Sequence, residues 1–493
     1  MARIGAPAYS SWGSHETGSY DANGLMRRMI VVLSAFVIVA GCNNGPAEKE
    51  SVRTMADQTK QEEWQRETLE YVESVNAFVE KGLTEGWDNA VAEPTDPGRD
   101  HLAQDVISAV RQANADGQLN RLRERWPPAH APLINLLEEN GQSIPVVCVL
   151  PDNSIVARLG APYESGRTIH IIGDSVQDVD NVAFLGRSPN RKYFAISKPD
   201  GVQILDGWNG PQVAFCPWPT GREGIPEGFD VDPFDSPPTP TRLIPFPDGT
   251  RVLLVSSEGI FVLSPDKALR LLPTAEQLKA HFEWLRKEYP DDDLSMGLSM
   301  EHAAISHNGR FIAAGSQVST HLLFDENLTI IGDIGNRSEY PHYSLFSSDD
   351  SMVAFNSCHF YNGVTLGVPV SLLPGLKTEP YEDDERITIL EDGARVYAGT
   401  FRKDEFIVGD ASGYVRAFST DGEPRWQLFI GSSVGDIDIS DDGTTLVVST
   451  YAGFLSIIKM DAGKQAPHQI GNSKHMETRR WVFWKNEEKP LIW

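Results

Sequence analysis

Residues 409–460 read GDASGYVRAFSTDGEPRWQLFIGSSVGDIDISDDGTTLVVSTYAGFLSIIKM. Tyr414, Arg416 and Phe418 alternate with Val415 and Ala417, and turns at Gly413, Asp421-Gly422, Asp442-Gly443 and Gly453 interrupt the alternation every few residues. A period of two broken by Asp-Gly pairs specifies antiparallel hairpins, not helices.

Weaker copies of the second half run back through most of the chain. The turns are Pro151-Asp152-Asn153, Ser188-Pro189-Asn190, Pro247-Asp248-Gly249, Ser306 to Gly309, Ser347 to Asp350, Glu391-Asp392-Gly393 and Ser440 to Gly443. Apolar strands accompany them at Tyr193–Ser197, Arg251–Ser256, Phe311–Gly315, Met352–Asn356 and Thr444–Ser449. A period of roughly 40 to 60 residues with about four strands per unit predicts a β-propeller. The expected fold class is all-β: about seven blades over 143–493, preceded by an α-helical region within 42–142. A sheet apolar on both faces cannot cover itself, so neighbouring units must pack face to face until the ring closes.

These repeats resemble the WD40-like and quinoprotein-like propellers, GYVRAFSTDGEPRW (413–426) having the quinoprotein pattern of Gly, alternating strand, Asp-Gly and Trp. The resemblance implies fold far more than function. The adjacent cysteine pair of quinone-cofactor dehydrogenases is absent, no calcium-ligand set can be placed, and the repeats lack the Trp-Asp dipeptide of strict WD40 units. No cofactor and no metal is therefore expected.

Upstream, MRRMIVVLSAFVIVAGCNN (26–44) has a basic start, a short apolar core and then Val39-Ala40-Gly41-Cys42, which resembles the bacterial lipobox. The core is too short to cross a bilayer comfortably as a helix. The resemblance implies a signal peptide over 26–41, removed to leave Cys42 carrying the diacylglyceryl thioether and a palmitate-type acyl chain. Residues 1–25 are polar, Gly/Ser-rich and unlike a targeting signal, and are expected to be a non-native upstream extension, with Met26 or Met29 the initiator. Asn43 after the lipidated cysteine implies the periplasmic face of the outer membrane. Lipobox and propeller together resemble bacterial lipoprotein propellers such as the scaffold subunit of outer-membrane barrel assembly.

Between anchor and ring, 51–87 is rich in helix formers, with Leu69, Val72, Val79 and Leu83 near one face. A second helix is expected from an Asp100 N-cap through Leu102, Val106, Ile107 and Val110, its stripe continued by Leu119, Leu122 and Trp126, and a third over Pro132–Glu139. Sustained heptads are absent, which favours a cap packed on the ring over a free stalk.

The chain carries 69 acidic against 43 basic side chains, a formal charge of −26. Such a balance repels phosphate backbones, so nucleic acid is not an expected partner. Phosphate-loop and HExxH motifs are absent. His302, His307, His321, His342 and His359 are dense but lack zinc spacing, and read as turn and edge histidines. Asp230, Asp232 and Asp235 lack the glycine and glutamate of a calcium loop, and Asp436, Asp438, Asp441 and Asp442 read as sheet-surface acids. Cys148, Cys216 and Cys358 read as buried thiols, with one disulfide open.

Two expectations concern surfaces. The segment RRWVFWKNEEKPLIW (479–493) should complete the closing blade and pack against the first unit near Pro145–Leu150. Long insertions at Trp218 to Thr241 and at Thr274 to Met300 fall between units, so both should stand on one face, flanking the unit of Asp248-Gly249. The second opens on a capping-box-like Thr274 to Gln277 and continues as a helix through Leu278, Phe282 and Leu285. Trp218, Phe229, Phe234, Phe282 and Trp284 are the candidate partner-binding residues, or else they pack the inserts together. The function expected is a membrane-anchored, periplasmic, non-catalytic binding or assembly scaffold for protein partners. The alternative is a propeller enzyme, a quinoprotein-like oxidoreductase or a lactonase/lyase, working in the central channel.

Overall fold

The computed structural model describes residues 46–86 and 92–493. The proposed signal peptide, Cys42 and the upstream extension lie outside the described residues. The chain divides between Glu63 and Trp64 into two units, the second of which, Trp64–Trp493, holds the whole propeller.

Seven antiparallel sheets follow one another along the chain. Blades 1 to 7 are β1–β4 (146–179), β5–β8 (185–217), β9–β12 (242–272), β13–β16 (302–334), β17–β20 (340–392), β21–β24 with β28 (396–471), and β25–β27 with β29 and β30 (434–492). Within each blade the strands pair in sequence order, and the first strands of neighbouring blades meet at the axis. The core runs as a chain of clusters between blades, such as Phe246, Leu253, Val255 and Ile260 of blade 3 with Ile305, Ile312 and Phe324 of blade 4.

Local hydrogen bonds explain why the first hairpin of each blade is legible. In the Ser-x-Asx turns, Ser440 Oγ donates to Asp442 Oδ1 at 2.6 Å and accepts from the Thr445 amide at 2.9 Å. Ser188 with Asn190, Ser306 with Asn308 and Ser347 with Asp349 repeat the arrangement. Asp152 and Asp248 fill the acceptor role alone in blades 1 and 3. One assignment needs correction. Glu391-Asp392-Gly393 lies not in a first hairpin but where the last strand of blade 5 gives way to blade 6. Blade 6 turns instead at Lys403-Asp404, a two-residue link without a serine, which left no Ser-x-Asx signal to read.

From Trp64 onward the helical region is a cap. Helix α1 spans Pro46–Glu85, α2 Ala103–Ala115, α3 Leu122–Arg125 and α4 Ile134–Asn140. The second predicted helix therefore ends at Ala115, where Gly117 adopts a left-handed φ of 65°, and its stripe resumes in the single turn α3. Trp64, Leu102, Val106, Ile107, Val110 and Trp126 bury against Phe454, Val482, Trp484, Leu491 and Trp493 of blade 7.

Two asparagines finish exposed sheet edges from this cap. Asn114 donates to the Ile492 carbonyl and accepts from the Ile492 amide, at 2.8 and 2.9 Å, along β30 (Leu491–Ile492). Asn76 likewise donates to the Gln469 carbonyl and accepts from the Gly471 amide beside β28 (Ile470–Gly471). Each side-chain amide thus replaces a further strand and blocks edge-to-edge pairing. Between them sits a buried charge cluster: Glu477 on β29 (Met476–Val482) accepts from Arg123 at 2.5 Å, Arg480 at 2.9 Å and Ser456 at 2.6 Å, and bonds His468 at 2.9 Å. Burial opposes the Glu477 charge, but the two guanidiniums outweigh it and hold the carboxyl well below its usual range.

Candidate functional site

The innermost strands enclose a cavity of about 700 Å³. Its lining includes Arg187, Arg191, Arg242, Tyr343, Asp436 and Asp438, together with the Ser188 and Ser440 turns. It therefore opens on the face that carries the first-hairpin turns.

The charged groups inside are engaged with one another. On β25 (Val434–Ile439), alternate residues Asp436 and Asp438 point at β1 (Val146–Val149) and accept from the Val147 amide at 2.9 Å and the Val149 amide at 2.5 Å. Arg187 donates to Asp438 at 2.6 Å and to the Val149 carbonyl at 2.6 Å. Arg191 reaches Asp438 at 2.8 Å and Val149 O at 2.9 Å, and also holds Asp441. Arg242 stands 3.3 Å from Asp436. Blade 7 and blade 1 are thus joined at the axis by carboxylates in place of a β-ladder. Burial lifts the Asp436 carboxyl above its usual range even with Arg242 beside it. Burial also opposes the Arg187 charge, yet Asp438 and lesser contributions outweigh it and hold the guanidinium above its ordinary value. Reading Asp436 and Asp438 as surface acids is accordingly corrected: an alternating strand has an outer face only if it is not the strand at the axis. The signal available in sequence was a charged alternation two to four residues before a first-hairpin turn.

Reading His302 and His321 as turn or edge histidines also needs correction, whereas His307 lies in its turn and His359 at a strand end. His302 and His321 are buried in blade 4, on β13 (His302–Ile305) and β15 (His321–Phe324), with ring centroids 5.5 Å apart. Gly315, opposite His302 on β14 (Ile312–Gly315), makes room for them, since a Cβ there would stand 2.7 Å from His302 Cε1. Burial keeps both rings neutral, His302 at about 4 and His321 well below its ordinary value. A native ring that resists protonation contributes stability that is complete above the unfolded value near 6.5 and lost as pH falls toward the folded one. His321→Leu, compared with the wild type by urea unfolding at pH 7.5 and pH 5, is expected to lose less stability on acidification, by about 2 kcal/mol. Parallel losses in the two proteins would show that His321 protonates as freely in the native ring as in the unfolded chain. Among the described residues no three His, Cys, Asp or Glu side chains form a group able to hold a metal ion.

The opposite face carries the inserts. One follows β8 (Gln212–Pro217) and the other follows β12 (Ala268–Leu272), each ahead of the first strand of the next blade, so they flank blade 3 as the spacing predicted. The second contains α5 (Ala275–Glu288), whose Thr274–Gln277 capping box is present. Of the five candidate aromatics, Trp218 and Phe234 join the core between blades 2 and 3, and the Trp218 indole donates to Lys198 O at 2.9 Å. Phe282 is 1% exposed and meets Phe229 at 5.5 Å, with Arg286 lying 4.2 Å over the Phe229 ring and bonded to Gly228 O. Inter-insert packing thus accounts for Phe229 and Phe282. Trp284 stays 47% exposed, with Tyr289, 50% exposed, against it at 5.5 Å. Tyr289, at the C-cap of α5, went unnoticed in sequence because nothing local separates an outward aromatic from an inward one.

The chain is a seven-bladed β-propeller protein with a helical cap. No family model matches it, and no curated protein matches it in sequence. Among solved structures, the crystal structure of the computationally designed Ika8 protein is similar at a TM-score of 0.40 and 13% identity, covering 65% of this chain and 97% of that one. A likeness at that level carries no argument about activity.

Proposed function

We propose that the protein is a lipid-anchored envelope protein whose propeller acts as a non-catalytic scaffold for protein partners. The observation that carries this reading is the state of the channel: Asp436, Asp438, Arg187 and Arg191 are bonded to one another and to the backbone of β1. Groups held in that way stiffen a ring and are poorly placed to move protons on a substrate. The opposite face supplies a braced pair of inserts with Trp284 and Tyr289 exposed, the kind of aromatic anchor that binding surfaces use. The anchor half of the proposal rests on Val39-Ala40-Gly41-Cys42, and Asn43 after the cysteine supports the periplasmic face of the outer membrane as its location. The quinoprotein-like and WD40-like character of the repeats adds a binding role by resemblance alone.

Cys42→Ser separates the two halves. The wild type is expected in the membrane fraction with incorporated palmitate, and the variant in the soluble fraction, folded. Retention of the variant in the membrane would sink the acyl anchor. Thiol titration gives a second readout: Cys148, Cys216 and Cys358 are unpaired and buried, Cys148 pushed up to about 12 and Cys216 to about 11. Denatured protein should show those three thiols if Cys42 is acylated, and a fourth if it is not. For the scaffold half, Trp284→Ala with Tyr289→Ala is expected to abolish crosslinking to a partner in the native membrane while leaving the melting unchanged. Intact capture would move recognition to another surface. The enzyme reading is favoured by the cavity of about 700 Å³. A stoichiometric quinone absorbance, or a stoichiometric metal, in purified protein would establish it over the scaffold.

A further inference from the structure

Residues 377–386 read KTEPYEDDER and lie in the long link between β19 (Asn362–Pro369) and β20 (Thr388–Asp392). This link climbs the outer edge of blade 4 beside β16 (Ile330–Ile334). Gly375 N donates to Ile331 O at 2.7 Å, Asp333 N to Leu376 O at 2.9 Å, and Tyr381 N to Asn336 O at 2.9 Å. The climb carries Tyr381 to the insert face of the ring. There the hydroxyl of Tyr340, the first residue of β17 (Tyr340–Phe346), bonds the side chains of Glu339 and Gln317, and Tyr381 is close enough to act on it electrostatically. The Tyr340 ring stacks over His359 at 6.5 Å, and His359 meets Phe360 edge-on at 4.4 Å. Glu339 stands 2.5 Å from His359 Nδ1.

Two properties of this patch have no explanation in the stability of the fold. Phe360 is 72% and Tyr381 60% exposed, although burying either ring would contribute about 1.5–3 kcal/mol. Both also have left-handed backbones, φ 51° and 66°, and they are the only aromatic residues so placed among the described residues. A bulky side chain costs roughly 1–2 kcal/mol there, which glycine avoids and asparagine largely does. Strain of this kind concentrates at functional surfaces. The electrostatics then choose the occupant. Residues 337–339 and 377–386 hold six carboxylates against three cations, Arg337, Lys377 and Arg386. Aromatic faces carry negative charge density, so rings beside this net-acidic stretch favour a cation on an apolar stem, in addition to Arg395, which bonds the Phe360 carbonyl at 3.3 Å. The net charge of −26 disfavours a second copy of this chain.

We propose that the blade 5 surface formed by Tyr340, His359, Phe360 and Tyr381 is a docking site for an arginine- or lysine-bearing segment of a partner protein. It stands whether or not Trp284 takes a partner. The test uses the full chain and labelled peptides of alternating glycine and arginine, or glycine and glutamate, in fluorescence anisotropy at physiological salt. The double variant Phe360→Asn/Tyr381→Asn keeps every charge, so general acidity is unchanged. The wild type is expected to bind the arginine peptide and not the glutamate peptide, and the variant to bind it about tenfold more weakly. The variant should melt at or above the wild-type temperature, because the left-handed strain is relieved. Equal binding by variant and wild type would reduce the effect to non-specific attraction and overturn the site. So would a wild type that binds oligosaccharide at this patch and ignores the arginine peptide.

Discussion

Replacing Trp493 by alanine is expected to cost on the order of 3–5 kcal/mol and to lower the melting of the ring and its cap together. The indole is buried, and its N–H donates to Trp126 O at 2.7 Å. The Trp493 backbone exchanges two hydrogen bonds with Arg480, at 2.9 and 2.7 Å. Around the ring lie Trp64, Leu102 and Val106 of the cap and Val482 of blade 7. Truncation therefore opens a large cavity at the seam and strands the Trp126 carbonyl. Urea unfolding followed by tryptophan fluorescence reads the change, and a loss below about 1 kcal/mol would show that the cap is not integral. Removing 479–493 altogether takes away β30 and most of what Trp481, Phe483 and Ile492 bury against Ile144, Val147 and Val149 of blade 1. No cooperative transition is expected from that truncation. If it melted like the full chain, the closing role of the segment would be wrong.

Asp438→Ala should be almost as severe, at about 3–5 kcal/mol, because it leaves buried charge without a partner. Arg187 would keep only the Val149 carbonyl, Arg191 would lose one of its two carboxylates, and the Val149 amide would have no acceptor. Replacing Asp438 and Arg187 together by leucine is expected to recover part of the loss, since no buried charge is then stranded at that point. Denaturant unfolding of the two variants measures both effects. An Asp438→Ala protein as stable as the wild type would mean that the blades close without this clasp.

The sequence by itself determined what short-range bonding determines. Ser188, Ser306, Ser347 and Ser440 each bond an Asx two residues on and an amide five residues on, so the turn, and with it the strand order of a blade, is written in six consecutive residues. The Thr274–Gln277 box is equally local, and the siting of both inserts on one face follows from counting strands. Blade 6 shows the limit, because Lys403-Asp404 turns the chain without that code and a nearby Asp-Gly pair imitates it. Only the tertiary structure decided which side of each strand is inside. Asp436 and Asp438 alternate as surface residues do, yet their strand is at the axis, where the opposite neighbour is β1, whose Val147 and Val149 amides they accept from. Phe229 and Trp284 are both aromatics on inserts, but Phe229 meets Phe282 of the other insert while Trp284 faces water. Trp64 and Trp493 share one cluster from distant ends of the described chain. Burial is a property of what arrives from elsewhere, and no window of neighbouring residues contains it.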